Sequence, residues 1–371
     1  MKIAFVGTRG VPAKYGGFET AVDEIASRLV RKGHEVYVYC RSTDTIPLSE
    51  YNGIKLINIS SIKNKVLETP IHTLMCTIDI LNRNSFDIIQ YFNQTNAVFT
   101  LLPRIIQNRK VFLWVDGLEW KRAKWNALIK RLLLFSEFLA VKCPNYLSVD
   151  SKTIQKYYRE KYLINPLLFT YGSNFPQLTN SVLSSNYPFK SKKYILFVGR
   201  LVPEKGIHTL IKAFKRIKTE FHLVIIGDDV TNSQYKQSLI KLSNKNNRIH
   251  FLGYVYGEEF YNLLRNSYLY VSASELEGTS PALLTAMGFG KCVLVSDIIE
   301  NLEVIGSAGL TFTSGSDIDL KKKLEELLFD NTRIVEYEER ARLRVNKKYN
   351  WDRITDTIEK EYLDAIKKGK K

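Results

Sequence analysis

Two short apolar runs, each ending in glycine, constrain the fold of this chain more than any other feature. They are IAFVG at residues 3–7 and YILFVG at residues 194–199. Such a run is typical of a buried parallel strand, and each begins a series in which strand and helix patterns alternate. The alternation predicts an α/β protein with two Rossmann-like doubly wound domains and a ligand cleft between the carboxyl ends of their sheets.

A stretch of loop-forming residues without periodicity separates the two series and predicts a linker. We therefore expect an N-terminal domain over residues 1–172, a linker over residues 173–193 and a C-terminal domain over residues 194–345. The remaining residues, 346–371, are helical in pattern and highly charged. We expect this tail to cross back and pack toward the N-terminal domain.

The chain is strongly basic, with 54 lysines and arginines against 38 aspartates and glutamates and a net charge of +16. An anionic membrane surface or a phosphate-bearing substrate would explain this excess, and so would a generally basic protein. No helix-turn-helix, RNP or zinc-finger pattern occurs, so we expect no nucleic-acid partner.

Cysteines, histidines and hydropathy indicate the compartment. The four cysteines are far apart and the five histidines lack metal-ligand spacing, which predicts reduced thiols and no protein-held metal. No segment approaches the roughly 20 apolar residues of a membrane span. Met1 is followed almost directly by a strand pattern rather than by a signal peptide. We expect a cytoplasmic protein.

The first turn of the second series carries two cations between glycines, in the sequence GRLVPEKG at residues 199–206. Gly199 permits a tight turn, and Gly206 lies where the N-terminal amides of a helix favour anions. Arg200 offers a planar fork for phosphate oxygens, and Lys205 adds a mobile point charge. This pattern predicts a site for the diphosphate of a leaving nucleotide. A solvated basic turn is the alternative.

A second candidate segment, SELEGTSPALLTAMG at residues 274–288, follows a predicted strand. Gly278 and Thr279 offer free amides and a helix cap at the same edge of the sheet. Glu277 precedes them, and its carboxylate is expected to accept hydrogen bonds from sugar hydroxyls. A solvent-exposed loop acid is the alternative.

These two segments resemble the GT-B glycosyltransferases of family 4, the glycosyl transferases group 1, which are retaining enzymes that use sugar nucleotides. The resemblance implies that Arg200 and Lys205 hold the donor diphosphate and that Glu277 contacts the donor sugar. It implies no metal and no cofactor, only a nucleoside-diphosphate sugar as donor substrate.

Two further positions concern the nucleoside. The family's second glutamate, which usually holds the ribose, is replaced here by Thr285. A threonine hydroxyl cannot act as a bidentate acceptor for two ribose hydroxyls. Tyr254 and Val255 follow a predicted strand, where the resemblance implies that they border the nucleotide base.

The N-terminal turn, GTRGVPAKYGGFET at residues 7–20, resembles the signature of a subgroup typified by bacterial rhamnosyltransferases of surface-polysaccharide assembly. Glycines in such a turn allow the backbone to approach phosphates closely, and an arginine can meet an anion. The resemblance implies that Gly16 and Gly17 lie beside the donor and that Arg9 lies on the acceptor side.

Residues 115–125, VDGLEWKRAKW, also resemble that subgroup. Asp116 follows a predicted strand, so we expect its carboxylate to bind a hydroxyl of the donor or of the acceptor. A helix N-cap is the alternative. Glu119, Lys121 and Arg122 are expected on the acceptor side.

Tryptophans and cations are mixed from Trp120 to Arg131. Tryptophans favour membrane interfaces and cations favour anionic lipid headgroups. This stretch therefore predicts peripheral contact with the inner leaflet of the membrane. Two core tryptophans with solvated lysines between them are the alternative.

The predicted activity is that of a retaining hexosyltransferase. It would move a sugar, with rhamnose as the first candidate, from a nucleoside-diphosphate donor to a growing surface polysaccharide or lipid-linked glycan. The resemblance implies an acceptor carried on a polyprenyl diphosphate. The alternative is a sugar-nucleotide-binding or scaffold protein of the same fold, whose catalysis is weakened at Thr285.

Overall fold

The chain forms two compact units, one comprising Met1–Tyr171 with Trp351–Lys371 and the other comprising Gly172–Asn350. The computed structural model describes residues 1–13, 16–42, 48–62, 68–83, 85–122, 125–174, 183–229, 234–244 and 246–368. Parts of the predicted segments lie outside these ranges, namely Lys14, Tyr15, Ala123, Lys124, residues 175–182 and residues 369–371.

A largely parallel sheet forms the first unit. Its strands are β1 (Lys2–Val6), β2 (Glu35–Ser42), β3 (Glu50–Tyr51), β4 (Ile54–Ser60), β5 (Ile88–Phe92), β6 (Lys110–Val115), β7 (Tyr146–Val149) and β8 (Leu167–Leu168). They lie in the order β3-β4-β2-β1-β5-β6-β7-β8, and every neighbouring pair is parallel except β3 with β4. The predicted doubly wound sheet is confirmed for this unit.

Helices cover both faces of that sheet. They are α1 (Gly17–Arg31), α2 (Glu68–Arg83), α3 (Leu101–Ile106), α4 (Ala127–Lys142) and α5 (Lys152–Tyr162), with 3-10 helices at Gln94–Thr100 and Glu119–Lys121. Because side chains alternate along a strand, β5 serves both layers. Tyr91 belongs to the core that α2, α4 and α5 cover. Phe92 instead packs against Phe18 of α1.

The second unit repeats the arrangement with an all-parallel sheet. Its strands are β9 (Tyr194–Val198), β10 (His222–Ile226), β11 (Ile249–Gly253), β12 (Leu269–Ser272), β13 (Val293–Ser296) and β14 (Leu310–Phe312). They lie in the order β11-β10-β9-β12-β13-β14. The apolar runs 3–7 and 194–199 thus supply a central strand in each sheet, β1 and β9, as their sequences predicted.

Helices alternate with these strands along the chain. They are α6 (Ile207–Lys215), α7 (Gln234–Ser243), α8 (Gly257–Asn266), α9 (Pro281–Gly288), α10 (Ile299–Ile305), α11 (Asp317–Leu328) and α12 (Asn331–Lys348), with a 3-10 turn at Pro203–Lys205. In the described part of either unit, no helix is both long and apolar enough to cross a lipid bilayer.

The described residues of the expected linker, 173–193, pack on the second unit. Ser173 N donates to Tyr349 O at 2.8 Å, at one end of the segment. Ser191 Oγ donates to Asn266 Oδ1 at 2.7 Å, at the other end. The change of unit falls between Tyr171 and Gly172, within one residue of the expected end of the N-terminal domain, and these contacts lie within the second unit.

The C-terminal helix, Trp351–Lys368, belongs to the first unit, so the chain crosses back. The hydroxyl of Tyr362 donates to Oε1 of Gln90 at 2.8 Å, and both side chains are buried. This helix begins at Trp351 and not at residue 346, because α12 continues to Lys348 within the second unit.

The contact between Tyr362 and Gln90 provides a test of how this helix is held. Tyr362→Phe removes the hydroxyl and leaves the buried amide oxygen of Gln90 without its donor. We expect the free energy of unfolding to fall by about 1–3 kcal/mol, the usual cost of an unsatisfied buried acceptor. Urea unfolding followed by circular dichroism measures the change. Tyr256→Phe removes a hydroxyl from an exposed ring and is the matched control. Equal losses in the two variants would contradict the assignment.

Candidate active site

A glycine holds the turn after β9 against the end of β12. Gly206 has φ of 62°, in the left-handed region, and an added Cβ would lie 1.9 Å from the carbonyl oxygen of Ala273. No other residue fits that space. In the same contact, Glu275 N donates to Glu204 O at 2.8 Å. The two loops that carry the predicted site residues of this unit are therefore neighbours.

Lys205 and Glu277 meet across these two loops. Nζ of Lys205 forms an ion pair with Oε2 of Glu277, and both side chains are more than four-fifths buried. Ser274 Oγ donates a hydrogen bond to the same carboxylate oxygen at 3.0 Å. The alternative of an exposed loop acid is therefore wrong for Glu277, and Lys205 in the basic turn is not solvated. The pair places a cation and a hydrogen-bond acceptor beyond the carboxyl ends of β9 and β12, where ligands bind in such sheets.

Buried polar side chains support the Glu277 loop from behind. Asn301 Nδ2 donates to Ser296 Oγ at 2.9 Å, and Ser296 Oγ donates to the carbonyl oxygen of Ser274. All three residues are buried. Sequence reasoning missed this network, although serine at the end of an otherwise apolar strand such as β13 was an available signal.

Arg200 follows β9 after a single glycine, Gly199, and is exposed. Among the residues that the structure describes, its guanidinium makes no hydrogen bond or ion pair. Its five N–H donors can therefore meet a ligand anion without first breaking an internal contact with those residues.

The segment that begins at Gly278 leads into α9, and the N-cap residue of α9 is Ser280. Ser280 Oγ accepts a hydrogen bond from Leu283 N at 3.4 Å, and Pro281 occupies the first turn. The cap expected at Thr279 is therefore one residue further on, and Thr279 itself is buried.

Thr285 lies one turn into α9, and its hydroxyl is engaged within the helix. Oγ1 donates to the carbonyl oxygen of Pro281 at 2.8 Å. The side chain is half-buried. A hydroxyl that already donates within its own helix can offer a ligand only acceptor capacity. Thr285 therefore offers a ribose fewer hydrogen bonds than the glutamate of the family pattern would.

Two tyrosines form a flat aromatic surface after β11. The rings of Tyr254 and Tyr256 stack with centroids 5.9 Å apart and planes 13° apart, and both are exposed. The hydroxyl of Tyr254 donates to Asp228 O at 3.2 Å. Val255, between them, is half-buried. Sequence reasoning named Tyr254 and missed Tyr256, although side chains two residues apart in extended backbone share a face.

In the first unit, Glu19 of α1 holds the turn after β1. Its Oε1 accepts a hydrogen bond from Arg9 N at 3.2 Å, and the Arg9 side chain is exposed. Gly16 has φ of 109°, and an added Cβ would meet the Glu19 carboxylate at 2.1 Å. This carboxylate lies over the N-terminus of α1, so a phosphate beside Gly16 and Gly17 would have to displace it.

Asp116 follows β6 and lies beside Tyr171. The hydroxyl of Tyr171 donates to Oδ2 of Asp116 at 3.4 Å, and it also lies 3.2 Å from the position of a Cβ on Gly17. Tyr171, which sequence reasoning missed, thus joins two predicted residues. The 3-10 helix that follows has Leu118 at its N-cap position and no side-chain cap, so the N-cap alternative for Asp116 is wrong.

The carboxyl of Asp116 titrates far from its usual range. Desolvation, and then the charge of Asp150, raise the pKa of Asp116 to about 7. The Asp116 residue is nevertheless exposed. Near neutral pH, Asp116 can therefore either accept or donate a hydrogen bond to a substrate hydroxyl.

The other residues expected on the acceptor side contact one another. Glu119 accepts a hydrogen bond from Trp125 Nε1 at 3.1 Å and pairs with Arg122 Nε at 2.9 Å. Lys121 is exposed, and its Nζ lies 5.9 Å from the ring centroid of Trp120. The charges of Glu119 and Arg122 are thus partly balanced before any substrate arrives.

A buried carboxylate, Glu137, ties Trp120 to the helices α4 and α5. Trp120 Nε1 donates to Oε2 of Glu137 at 3.0 Å, and Glu137 has no exposed surface. Its other oxygen accepts hydrogen bonds at 2.7–2.8 Å from Tyr157, Lys161 and Tyr162. These contacts favour the alternative of packed tryptophans. Sequence reasoning missed the network, because a single glutamate in an apolar helix only interrupts the pattern.

Cysteine chemistry and metal binding are the next possibilities. All four cysteines are free and buried. Burial raises the pKa of Cys292 to about 12, which suppresses thiolate chemistry there. Within the ranges given above, no three side chains of His, Cys, Asp or Glu lie close enough together to hold a metal ion.

Comparison with known families divides the chain at nearly the same place as the structure. Residues 183–349 match the family model described as Glycosyl transferases group 1. Residues 1–174 match a domain of unknown function, DUF1972. The group 1 match contains Arg200, Lys205 and Glu277.

Curated relatives of the chain are glycosyltransferases. An uncharacterised glycosyltransferase of Methanocaldococcus jannaschii is 23% identical over 367 residues, which cover 91% of this chain and 92% of the relative. The capsular polysaccharide biosynthesis glycosyltransferase CapM of Staphylococcus aureus is 24% identical over 201 residues, 52% of each chain. The N-acetylgalactosamine-N,N'-diacetylbacillosaminyl-diphospho-undecaprenol 4-alpha-N-acetylgalactosaminyltransferase of Campylobacter jejuni is 32% identical over 105 residues, 28% of each chain.

Solved structures share the fold along almost the whole chain. Sucrose-phosphate synthase from Thermosynechococcus elongatus superposes with a TM-score of 0.85 at 20% identity, covering 98% of each chain. Anabaena HepE in complex with UDP superposes with a TM-score of 0.75 at 16% identity, covering 98% of this chain and 100% of HepE. The fold is that of the GT-B glycosyltransferases.

The Glu137 network predicts a change in stability on loss of one charge. Glu137→Gln keeps the shape but removes the negative charge that four donors share. We expect the free energy of unfolding to fall by about 1–3 kcal/mol, because hydrogen bonds to a buried charged group are lost. Glu160→Gln is the matched control, since Glu160 pairs with Lys156 on the exposed side of α5. That control should change stability by less than about 0.5 kcal/mol. Thermal unfolding measures both, and an unchanged Glu137→Gln variant would refute the role.

Proposed function

We propose that this chain, a glycosyltransferase whose residues 183–349 match the group 1 family, transfers a sugar from a nucleoside-diphosphate sugar to a growing surface polysaccharide or lipid-linked glycan. The observation that carries the proposal is the contact between Lys205 and Glu277, at the same sheet edge as the exposed Arg200. It supplies positive charge for a diphosphate and an acceptor for sugar hydroxyls at one place.

The cations would act on the leaving group. When the bond between the anomeric carbon and the diphosphate breaks, negative charge grows on the departing phosphate oxygen. Arg200 would hold the phosphate oxygens through its fork, and Lys205 would stabilise the developing charge. The proposal needs no metal ion, because these two side chains provide the positive charge.

The ion pair would exchange partners when donor binds. A diphosphate carries more negative charge than one carboxylate, so it competes with Glu277 for the ammonium of Lys205. Once Lys205 turns to the phosphate, the Glu277 carboxylate is released to accept hydrogen bonds from the donor sugar. Ser274 and the buried network behind it would keep that carboxylate in place during the exchange.

Asp116 and Tyr171 would serve the acceptor. The pKa of about 7 lets the Asp116 carboxyl hydrogen-bond an attacking hydroxyl in either protonation state at neutral pH. Arg9 and Lys121 are exposed cations of the same unit. They would suit an acceptor that carries a diphosphate, as the Campylobacter relative's name specifies for its own substrate.

Three finer parts of the proposal rest on the family resemblance and the charge of the chain. They are retention of the anomeric configuration, a rhamnosyl donor, and peripheral contact with the cytoplasmic face of a membrane where a polyprenyl-linked acceptor would lie. NMR of the product tests the first, and a panel of nucleoside-diphosphate sugars that includes rhamnose tests the second.

Replacement of either cation tests the diphosphate site. We expect Arg200→Ala and Lys205→Ala each to lower kcat by about 10²–10³-fold, the usual effect of removing one group that stabilises charge in the transition state. Release of nucleoside diphosphate from the preferred donor measures the rate. Lys212→Ala removes an exposed lysine from α6 and is the matched control. Retention of full activity by both site variants would overturn the proposal.

Thr285→Glu tests the nucleoside end of the donor. We expect the variant to bind UDP about tenfold more tightly than the wild type, because a carboxylate can accept from ribose hydroxyls in charge-assisted hydrogen bonds. Isothermal titration with UDP and with 2′-deoxy-UDP measures the effect, which should be smaller for the deoxy ligand. Thr285→Gln has a similar shape without the charge and is the control. Equal affinity of all three proteins for UDP would show that position 285 does not contact the ribose.

A further inference from the structure

Helix α4 carries apolar side chains on its outer as well as its inner surface. Leu133 and Ala140 face the core of the first unit. On the opposite side, Leu128, Leu132 and Phe135 are 66%, 57% and 58% exposed. These three recur at helical spacing, so they form one continuous stripe. A continuous exposed apolar stripe of this kind marks an interaction surface.

Further exposed apolar side chains lie on α3 and near the C-terminal end of α4. Ile105 and Ile106 are exposed, as is Phe138 near the end of α4. Arg104 joins the two helices, because its Nη1 donates to the carbonyl oxygens of Lys142 and Cys143 at 2.8 and 2.9 Å. We refer to the exposed residues Ile105, Ile106, Leu128, Leu132, Phe135 and Phe138 as the α3–α4 face.

The charges of α4 are cationic wherever they reach solvent. Arg131 and Lys142 are exposed between and beyond the apolar side chains, and Lys130 is half-buried. The acidic residue of α4 is Glu137. It has no exposed surface, and its carboxylate accepts hydrogen bonds from four donors within the unit. The α3–α4 face therefore combines exposed apolar area with positive charge, in a chain whose net charge is +16.

We propose that the α3–α4 face docks on an anionic lipid bilayer. Leu128, Leu132 and Phe135 would enter the boundary between headgroups and acyl chains, while Arg131 and Lys142 would contact lipid phosphates. This is the chemistry of an interfacial amphipathic surface. The inference deepens the proposed function, because a lipid-linked acceptor would be presented at such a surface.

This surface differs from the stretch Trp120 to Arg131 that the sequence indicated. The indole of Trp120 donates to Glu137 and that of Trp125 donates to Glu119, so both rings are fixed within the unit. Docking thus depends on the leucines and phenylalanines of α4, which no periodicity argument could assign to solvent.

Vesicle co-sedimentation tests the proposal. Vesicles contain phosphatidylglycerol and phosphatidylcholine in equal parts, or phosphatidylcholine alone. We expect the wild type to bind the anionic vesicles and the double variant Leu132→Asp/Phe135→Asp to bind at least about tenfold more weakly, because two buried apolar side chains are lost. Arg131→Gln should weaken binding by about fivefold on anionic vesicles, since each cation near the surface contributes about 1 kcal/mol.

A matched double variant in the second unit separates this face from a general effect of added charge. Ile318→Asp/Phe329→Asp changes residues that are 72% and 82% exposed and lie outside the α3–α4 face. It should bind like the wild type. A second double variant, Leu132→Ser/Phe135→Ser, adds no charge and should also bind more weakly. Its unfolding midpoint is compared with that of the wild type, so that loss of binding through misfolding is recognised.

Three results would overturn the docking proposal. The first is a wild type that does not sediment with anionic vesicles. The second is equal binding by the wild type and the Leu132/Phe135 variants. The third is loss of self-association in those variants, by size-exclusion chromatography, with no vesicle binding by the wild type, which would assign the face to a protein interface.

Assays without membranes distinguish failure of docking from failure of the proposed function. Donor turnover with a water-soluble acceptor analogue should be the same in the wild type and in the Leu132→Asp/Phe135→Asp variant. If the wild type binds vesicles but turns over no donor, the transferase proposal fails and the docking proposal stands. If the wild type turns over donor but does not bind vesicles, the docking proposal fails and the transferase proposal stands.

Discussion

The close approach of Gly206 to Ala273 is the constraint on which the second unit's site depends. A side chain at Gly206 would meet a backbone carbonyl at 1.9 Å, so only glycine lets the loop after β9 lie against the loop after β12. That approach brings Lys205 to Glu277, although 72 residues separate them in sequence. The contact between Lys205 and Glu277 thus depends on the absence of a side chain at Gly206. The paired strands β9 and β12 place their carboxyl ends side by side, and the glycine lets the loops that follow them pack closely.

The sequence predicted local features and failed where distant residues supply the contacts. Strand and helix order followed from periodicity, and Arg200, Lys205 and Glu277 could be named because each lies in a short motif beside a predicted strand. Tyr171 could not be named, because its hydroxyl reaches Asp116 from 55 residues away. Loop-forming composition likewise does not reveal that Ser191 bonds to Asn266, a contact that lies within the second unit.

The stretch from Trp120 to Arg131 illustrates how burial overrides composition. A tryptophan in a basic stretch is a good interface residue only while its N–H and ring are accessible. Trp120 is instead bonded to Glu137, and Glu137 in turn uses the only acidic charge of α4. One internal network therefore fixes the half-buried Trp120 and leaves only cations among the exposed charges of α4. Because Glu137 is buried, α4 exposes no acidic charge beside its leucines and phenylalanines.

Two carboxylates of this chain show why surroundings, not residue type, decide which group can act. Glu137 has four donors and no exposed surface, so exchange of any partner would leave a buried charge unsatisfied. Glu277 has one cation and one hydroxyl as partners and is 13% exposed. An entering diphosphate can take the cation while Ser274 still supports the carboxylate. Only the second arrangement allows a partner exchange at low cost, and such an exchange is what the proposed binding of a donor diphosphate would require.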